Sequence, residues 1–191
     1  MGGAAESHRN DHLGFASAAP RAFNFLTEIG FKQTNLTPTL VRYEHGDLVA
    51  QVYHGRRSHE LGFQIGRGDE LFSISEILRA EHAKDADRYH NYVALTRASV
   101  DSGVEQLASL VSTHAGRALG GDDRYFDLLR RQRAQWARGL ATDVSVRQVR
   151  PQAAAAFREG RYREAAELYE RILPHLSPAE RAKLEVARKR K

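Results

Sequence analysis

From Thr39 to Phe72 the chain reads TLVRYEHGDLVAQVYHGRRSHELGFQIGRGDELF, and this stretch alternates between apolar and polar residues. Leu61, Phe63 and Ile65 alternate with Glu60, Gly62 and Gln64. One side chain in every two on the same face is the period of a half-buried antiparallel strand. Leu48, Ala50, Val52 and His54 likewise share a face, with Val49, Gln51 and Tyr53 on the other. His45-Gly46-Asp47 and the stretch from Gly55 to Ser58 carry turn residues. The run therefore predicts three short strands and two turns, with the stretch from Gly66 to Glu70 ending the sheet. A sheet with one apolar face must bury that face against another element.

Helical spacing flanks the strands on both sides. From Phe15, the residues Ala22, Phe25, Leu26 and Ile29 recur at intervals of three and four, with Pro20 near the first turn and Gly30 as the stop. Ser73-Ile74-Ser75-Glu76 is a capping box, and the helix after it turns Ile74, Ile77 and Leu78 inward. Ser102 and Glu105 repeat the box spacing, with Val104, Leu107, Leu110, Val111 and His114 on one face. Gly120-Gly121 breaks that helix and Asp122 caps the next, to which Tyr125, Phe126, Leu129, Trp136 and Leu140 supply apolar bulk. Residues 141–151 read as a connector, and a pair of helices with a third, short one follows. The expected class is α+β: a small antiparallel sheet with packed helices, then an α-helical half. The expected parts are a disordered N-terminus over 1–12, an α+β domain over 13–118, and a helical region over 119–191 docked on the first part, near Trp136 or Leu140.

Composition excludes several chemistries. There is no cysteine, so disulfides, thiolate nucleophiles and cysteine zinc sites are ruled out. No apolar run approaches the ~20 residues that span a bilayer, and the start of the chain lacks the basic-then-apolar pattern of a signal peptide. The cytoplasm is the expected compartment and no membrane partner is expected. Charge is unevenly placed. Residues 1–115 carry 11 Lys+Arg and 14 Asp+Glu, a balance of −3, whereas residues 116–191 carry 18 and 10, a balance of +8. The basic half suits phosphates or an acidic protein, or is a solvated arginine-rich helix surface.

Gly160, Tyr162, Ala165, Tyr169 and Ile172, with Pro178 after the second helix, follow an order of small, aromatic and apolar residues. In this order the C-terminal hairpin resembles a single tetratricopeptide repeat, which implies a protein-contacting surface. The segment FNFLTEIGF, the strand beginning His59-Glu60-Leu61 followed by FSISEIL, and the repeat-like end also resemble a group of small bacterial proteins, some of them immunity-type proteins found beside toxins. That resemblance implies a partner protein, such as a toxin.

VYHGRRSHEL, residues 52–61, holds the densest polar chemistry. Across a hairpin, His54 and His59 can approach each other as a two-histidine metal site or as a general base beside Arg56 or Arg57. No third ligand and no HExxH spacing is present, and a polar turn with one half-buried histidine also satisfies the pattern. His82, Asp85, Asp87 and His90 lack the glycine and distal glutamate of a calcium loop, and read as a water-facing link between helices with Tyr89 and Tyr92 packing. His114 reads as a hydrogen-bonded core or rim residue. No P-loop, dinucleotide fingerprint or G-x-S-x-G elbow occurs. Catalytic residues, metals and cofactors are therefore not expected. The chain is expected to be a non-enzymatic protein-binding module of adaptor or immunity type. The expected contacts are Arg56, Arg57, His59 and Glu60 on the hairpin, Arg130 and Arg131 on the next helix, and Arg158 and Arg161 in the C-terminal hairpin. Two alternatives remain: a nucleic-acid-associated protein using the basic half, and a hydrolase using His54 and His59.

Overall fold

Strands form where the sequence alternates, and also where it does not. The computed structural model describes residues 12–84 and 86–190, without the side chains of His12, Leu140 and Ala141. The expected disorder over 1–12 lies, up to residue 11, outside the described residues. The fold class is α+β. β1 (Lys32–Thr37), β2 (Leu40–His45), β3 (Leu48–His54), β4 (Glu60–Arg67) and β5 (Glu70–Ser73) pair antiparallel in chain order, and the two-residue β6 (Tyr92–Val93) pairs with β4.

Two ends of this sheet differ from the sequence expectation. The stretch from Gly66 to Glu70 does not end it: Gly68, at φ +55°, turns the chain back into β5, which buries Phe72. β1 is an added edge strand, exposed from Lys32 to Leu36. Its sequence KQTNLT shows no alternation, because neither face of that strand is buried.

Register places the apolar set on one face. Ala50 lies opposite Ile65, Val52 opposite Phe63 and His54 opposite Leu61, and all six are buried. This face packs against α1 (Phe15–Ala22), α3 (Ile74–Ala80) and α4 (Arg97–His114). The N-terminal helix is broken. Pro20 lies near the end of α1 rather than in its first turn, and the chain leaves the helix at Phe23 before resuming as α2 (Asn24–Glu28). Pro20 has no amide to give the Ala16 carbonyl, which weakens the helix there. Phe23 is buried and stacks on Phe63 with centroids 5.9 Å apart, while Ile29 is exposed.

The Ser73–Glu76 capping box forms as read. The one at Ser102 does not: α4 begins at Arg97, with Thr96 and Ser99 forming the box and Ser102 inside the helix. Ser-x-x-Glu spacing recurs in helix interiors, so spacing alone does not locate an end. After α5 (Gly116–Leu119), Gly121 turns at φ +71° and Asp122 accepts the Tyr125 amide at 3.1 Å. α6 (Asp123–Arg158) then begins, and buries Tyr125, Phe126 and Leu129 in the same core.

Arg67, at the end of β4, gathers this corner together. It pairs with Asp47 at 2.8 Å and with Asp123, donates to the Gly121 carbonyl at 3.0 Å, and lies 5.1 Å over the Phe126 ring. One planar cation thus ties a sheet turn, a glycine turn and a helix start.

The chain divides into two units, Met1–Gln132 and Arg133–Lys191. In the second unit the expected connector over 141–151 is helix, part of α6. Val146, Val149, Ala153 and Ala156 recur at helical spacing and are buried together, which outweighs the hydrogen bond lost at Pro151. α7 (Tyr162–Arg171), a 3-10 turn (Leu173–His175) and α8 (Pro178–Lys189) complete this unit. Ala165, Ala166, Tyr169, Ile172 and Leu184 close its core, with Phe157 and Tyr162 packed against it. Trp136 is 59% exposed, against the expectation that it faces a core. It continues the Tyr125–Leu129 stripe, but the first unit ends at Gln132. The Leu140 side chain lies outside the described ones. Among the described residues, no helix is long and apolar enough to cross a membrane.

Phe63 has no exposure, lies opposite Val52 and stacks on Phe23. Phe63→Ala is expected to lower the unfolding free energy by ~3–5 kcal/mol in chemical denaturation. A variant as stable as the parent would contradict this packing.

Candidate docking surface at the hairpin tip

The β3–β4 turn is closed by its own backbone. Gly55 donates to the Glu60 carbonyl and His59 to the Gly55 carbonyl, each at 2.8 Å. A Cβ at position 55 would stand 2.2 Å from the Ser58 hydroxyl, so the glycine leaves room for that side chain in the turn. His59 adopts the left-handed region at φ +55°, which a non-glycine residue enters only when its surroundings hold it there. Arg56, Arg57 and Ser58 are exposed, while His59 and Glu60 are half-buried.

A second segment is bound to this turn through one residue. The Ala94 amide donates to the His59 carbonyl at 2.8 Å. The Ala94 carbonyl lies 3.0 Å from His54 Nε2, so that nitrogen carries the proton and donates. Ala94 has no exposure and His54 is 1% exposed. His54 sits beside Phe15, with centroids 5.9 Å apart. Both backbone groups of a buried alanine are therefore satisfied, one by each histidine of the hairpin.

The flanks of Ala94 are seated as well. Tyr92 and Val93 pair with Leu61 and Glu60 as β6. The Tyr92 ring lies against α4 at Gly103, where a Cβ would come within 2.4 Å of Tyr92 and 2.7 Å of Leu61. A helix-interior glycine costs ~1 kcal/mol relative to alanine, and here it makes room for that ring. On the other face of β3, burial raises the Tyr53 pKa above its usual range, Glu60 raises it further, and the Asn91 side chain, donating to it, acts the opposite way. Tyr89 is pushed up to about 12, by burial first and then by Tyr53. Both phenols thus stay neutral at pH 7.

With Ala94 turned in, its neighbours face out. Val93 is 52% exposed, Leu95 63% and Tyr92 36%. Arg56 and Arg57 have no ion-pair partner among the described residues. An apolar strip beside uncommitted arginines and a half-exposed tyrosine has the composition of a protein-contact patch.

Of the residues expected from sequence, the structure brings together Arg56, Arg57, His59 and Glu60. The others lie elsewhere. Arg130 pairs with Glu70 at 2.7 Å and Asp127 at 2.6 Å. Arg161 pairs with Glu159 at 2.7 Å and with Glu164. Arg131 and Arg158 are exposed, with no ion-pair partner among the described residues. The rings of His54 and His59 lie 6.0 Å apart. Among the described residues, no group of three or more His, Asp or Glu is placed to hold a metal ion. His82, Asp87 and His90 are exposed, Asp85 lies outside the described residues, and His114 is half-buried. Tyr89 packs on the core as expected, and the Tyr92 ring packs at Gly103 while staying 36% exposed. Sequence reasoning missed Val93 and Leu95, and read Tyr92 only as a packing residue. The available signal was Gly103, an isolated glycine inside a helical pattern.

Gly103→Ala tests this seating. At an open helix position the change is expected to stabilise by ~1 kcal/mol. Here it is expected to destabilise by ~1–3 kcal/mol in chemical denaturation, because Tyr92 or Leu61 must move. A stabilised variant would show that the ring is not seated there. Comparison of the chain with family models, curated proteins and solved structures returns no match.

Proposed function

We propose that this chain is a non-enzymatic, cytoplasmic protein-binding module of adaptor or immunity type, and that it docks its partner on the strip from Tyr92 to Leu95. The observation that carries this reading is the pair Val93 and Leu95, exposed on a backbone fixed at Ala94. Large apolar side chains held outward on an ordered segment lose little conformational entropy on binding, so more of their burial appears as affinity. Arg56, Arg57, His59 and Glu60 form the polar rim. The order Gly160, Tyr162, Ala165, Tyr169, Ile172 in the second unit supports a scaffolding role of the tetratricopeptide kind. The partner is another protein, for which a toxin is the proposed case. The nucleic-acid reading keeps one supporting observation: residues 133–191 carry 14 Lys+Arg against 7 Asp+Glu, a balance of +7.

The test is quantitative affinity capture from extract of the source cells at physiological salt. Tagged parent is compared with Val93→Asp/Leu95→Asp. Both positions are exposed, so the melting temperature of the variant is expected to stay within a few degrees of the parent. A protein retained by the parent and lost from the variant at least tenfold is the expected result. Equal recovery of every captured protein by both would refute the proposal. Binding of a labelled oligonucleotide that weakens steeply with salt, and is equal in both proteins, would favour the nucleic-acid reading instead.

A further inference from the structure

The second unit holds a groove that the strip on the first unit does not involve. It has a volume of about 380 Å³ and is lined by Leu173, Pro174, Arg181, Leu184, Glu185 and Arg188. Leu173 and Pro174 come from the 3-10 turn, and the other four from α8. Arg181, Leu184, Glu185 and Arg188 follow the three- and four-residue spacing of one helix face, so the two arginines stand ~10 Å apart along it. Leu184 is buried and makes an apolar floor, and Leu173 is 43% exposed at the side.

We propose that this groove binds an acidic, apolar peptide segment of another protein. Charge selects the occupant. Residues 133–191 balance at +7, and Arg181 has no ion-pair partner among the described residues. Arg188 is held by Glu170 and Glu185, each at 3.0 Å, which fixes its position and leaves Arg181 as the cation to be neutralised. A carboxylate of the segment pairs with Arg181, and an apolar side chain one helical turn away fills the space between Leu173 and Leu184. The groove has no aromatic side chain in its lining, so it offers no platform on which a nucleic-acid base stacks.

The experiment uses the full chain and fluorescence anisotropy with a labelled peptide of repeated Glu-Glu-Leu-Leu units. Controls are the same peptide with lysine for glutamate, and a labelled single-stranded oligonucleotide. The acidic peptide is expected to bind and the lysine peptide not. Arg181→Gln and Leu173→Ala are each expected to weaken binding about tenfold, the loss of one charge-assisted pair or one apolar contact. Arg147→Gln removes the same charge outside the groove and is expected to change affinity less than about twofold. Unchanged melting temperatures establish that the variants fold. The proposal is overturned if the acidic peptide fails to bind, if both peptides bind equally, if Arg147→Gln weakens binding as much as Arg181→Gln, or if Arg181→Gln reduces only oligonucleotide binding.

Discussion

The backbone of Ala94 is held by both histidines of the β3–β4 hairpin, by a ring nitrogen of His54 and by the carbonyl of His59. Each contact resolves a problem that burial creates. His54 lies on the apolar face of β3, where an unsatisfied imidazole N–H would cost ~1–3 kcal/mol. Ala94 comes from a loop that crosses this region, and its amide and carbonyl need partners away from water. The left-handed backbone at His59 accompanies one of those bonds. Histidines that read as chemistry in VYHGRRSHEL therefore act as anchors, and what they anchor is a short apolar strip facing solvent.

That anchorage presupposes a sheet of fixed register. A one-residue slip of β4 against β3 would turn Leu61, Phe63 and Ile65 to the face opposite His54 and break the geometry in which Ala94 meets both histidines. The register is set by buried pairs along the two strands and by the Gly55–Glu60 closure of the turn. At the far end of β4, Arg67 ties the sheet to the start of α6 through Asp47, Gly121 and Asp123. β4 is thus fixed at both ends, by a turn and by a cation.

The alternating strands, the hairpin turn, the Ser73 cap and the Asp122 cap were legible because each rests on contacts near in sequence. β1 was not, since an exposed edge strand imposes no pattern on its residues. The helical state of 141–151 was hidden by Pro151 and by β-branched residues, although Val146, Val149, Ala153 and Ala156 carry the stripe. In the candidate surface, Arg56, Arg57, His59 and Glu60 were named from residue type alone. Val93 and Leu95 were missed because an exposed valine and leucine look, in sequence, like any core residues. Only the long-range bonds to Ala94 show which way they face.

Amide hydrogen exchange at Ala94 tests the clamp most directly. In the parent, this amide is expected to exchange far more slowly than in an unstructured chain, in the manner of a buried strand amide. In His54→Leu, which keeps the apolar bulk and removes the donor, protection at Ala94 is expected to fall about tenfold, the value of roughly one net hydrogen bond, while Ala50 and Ile65 keep theirs. Exchange at the unprotected rate in the parent, or protection unchanged by His54→Leu, would contradict the clamp and with it the fixed orientation of Val93 and Leu95.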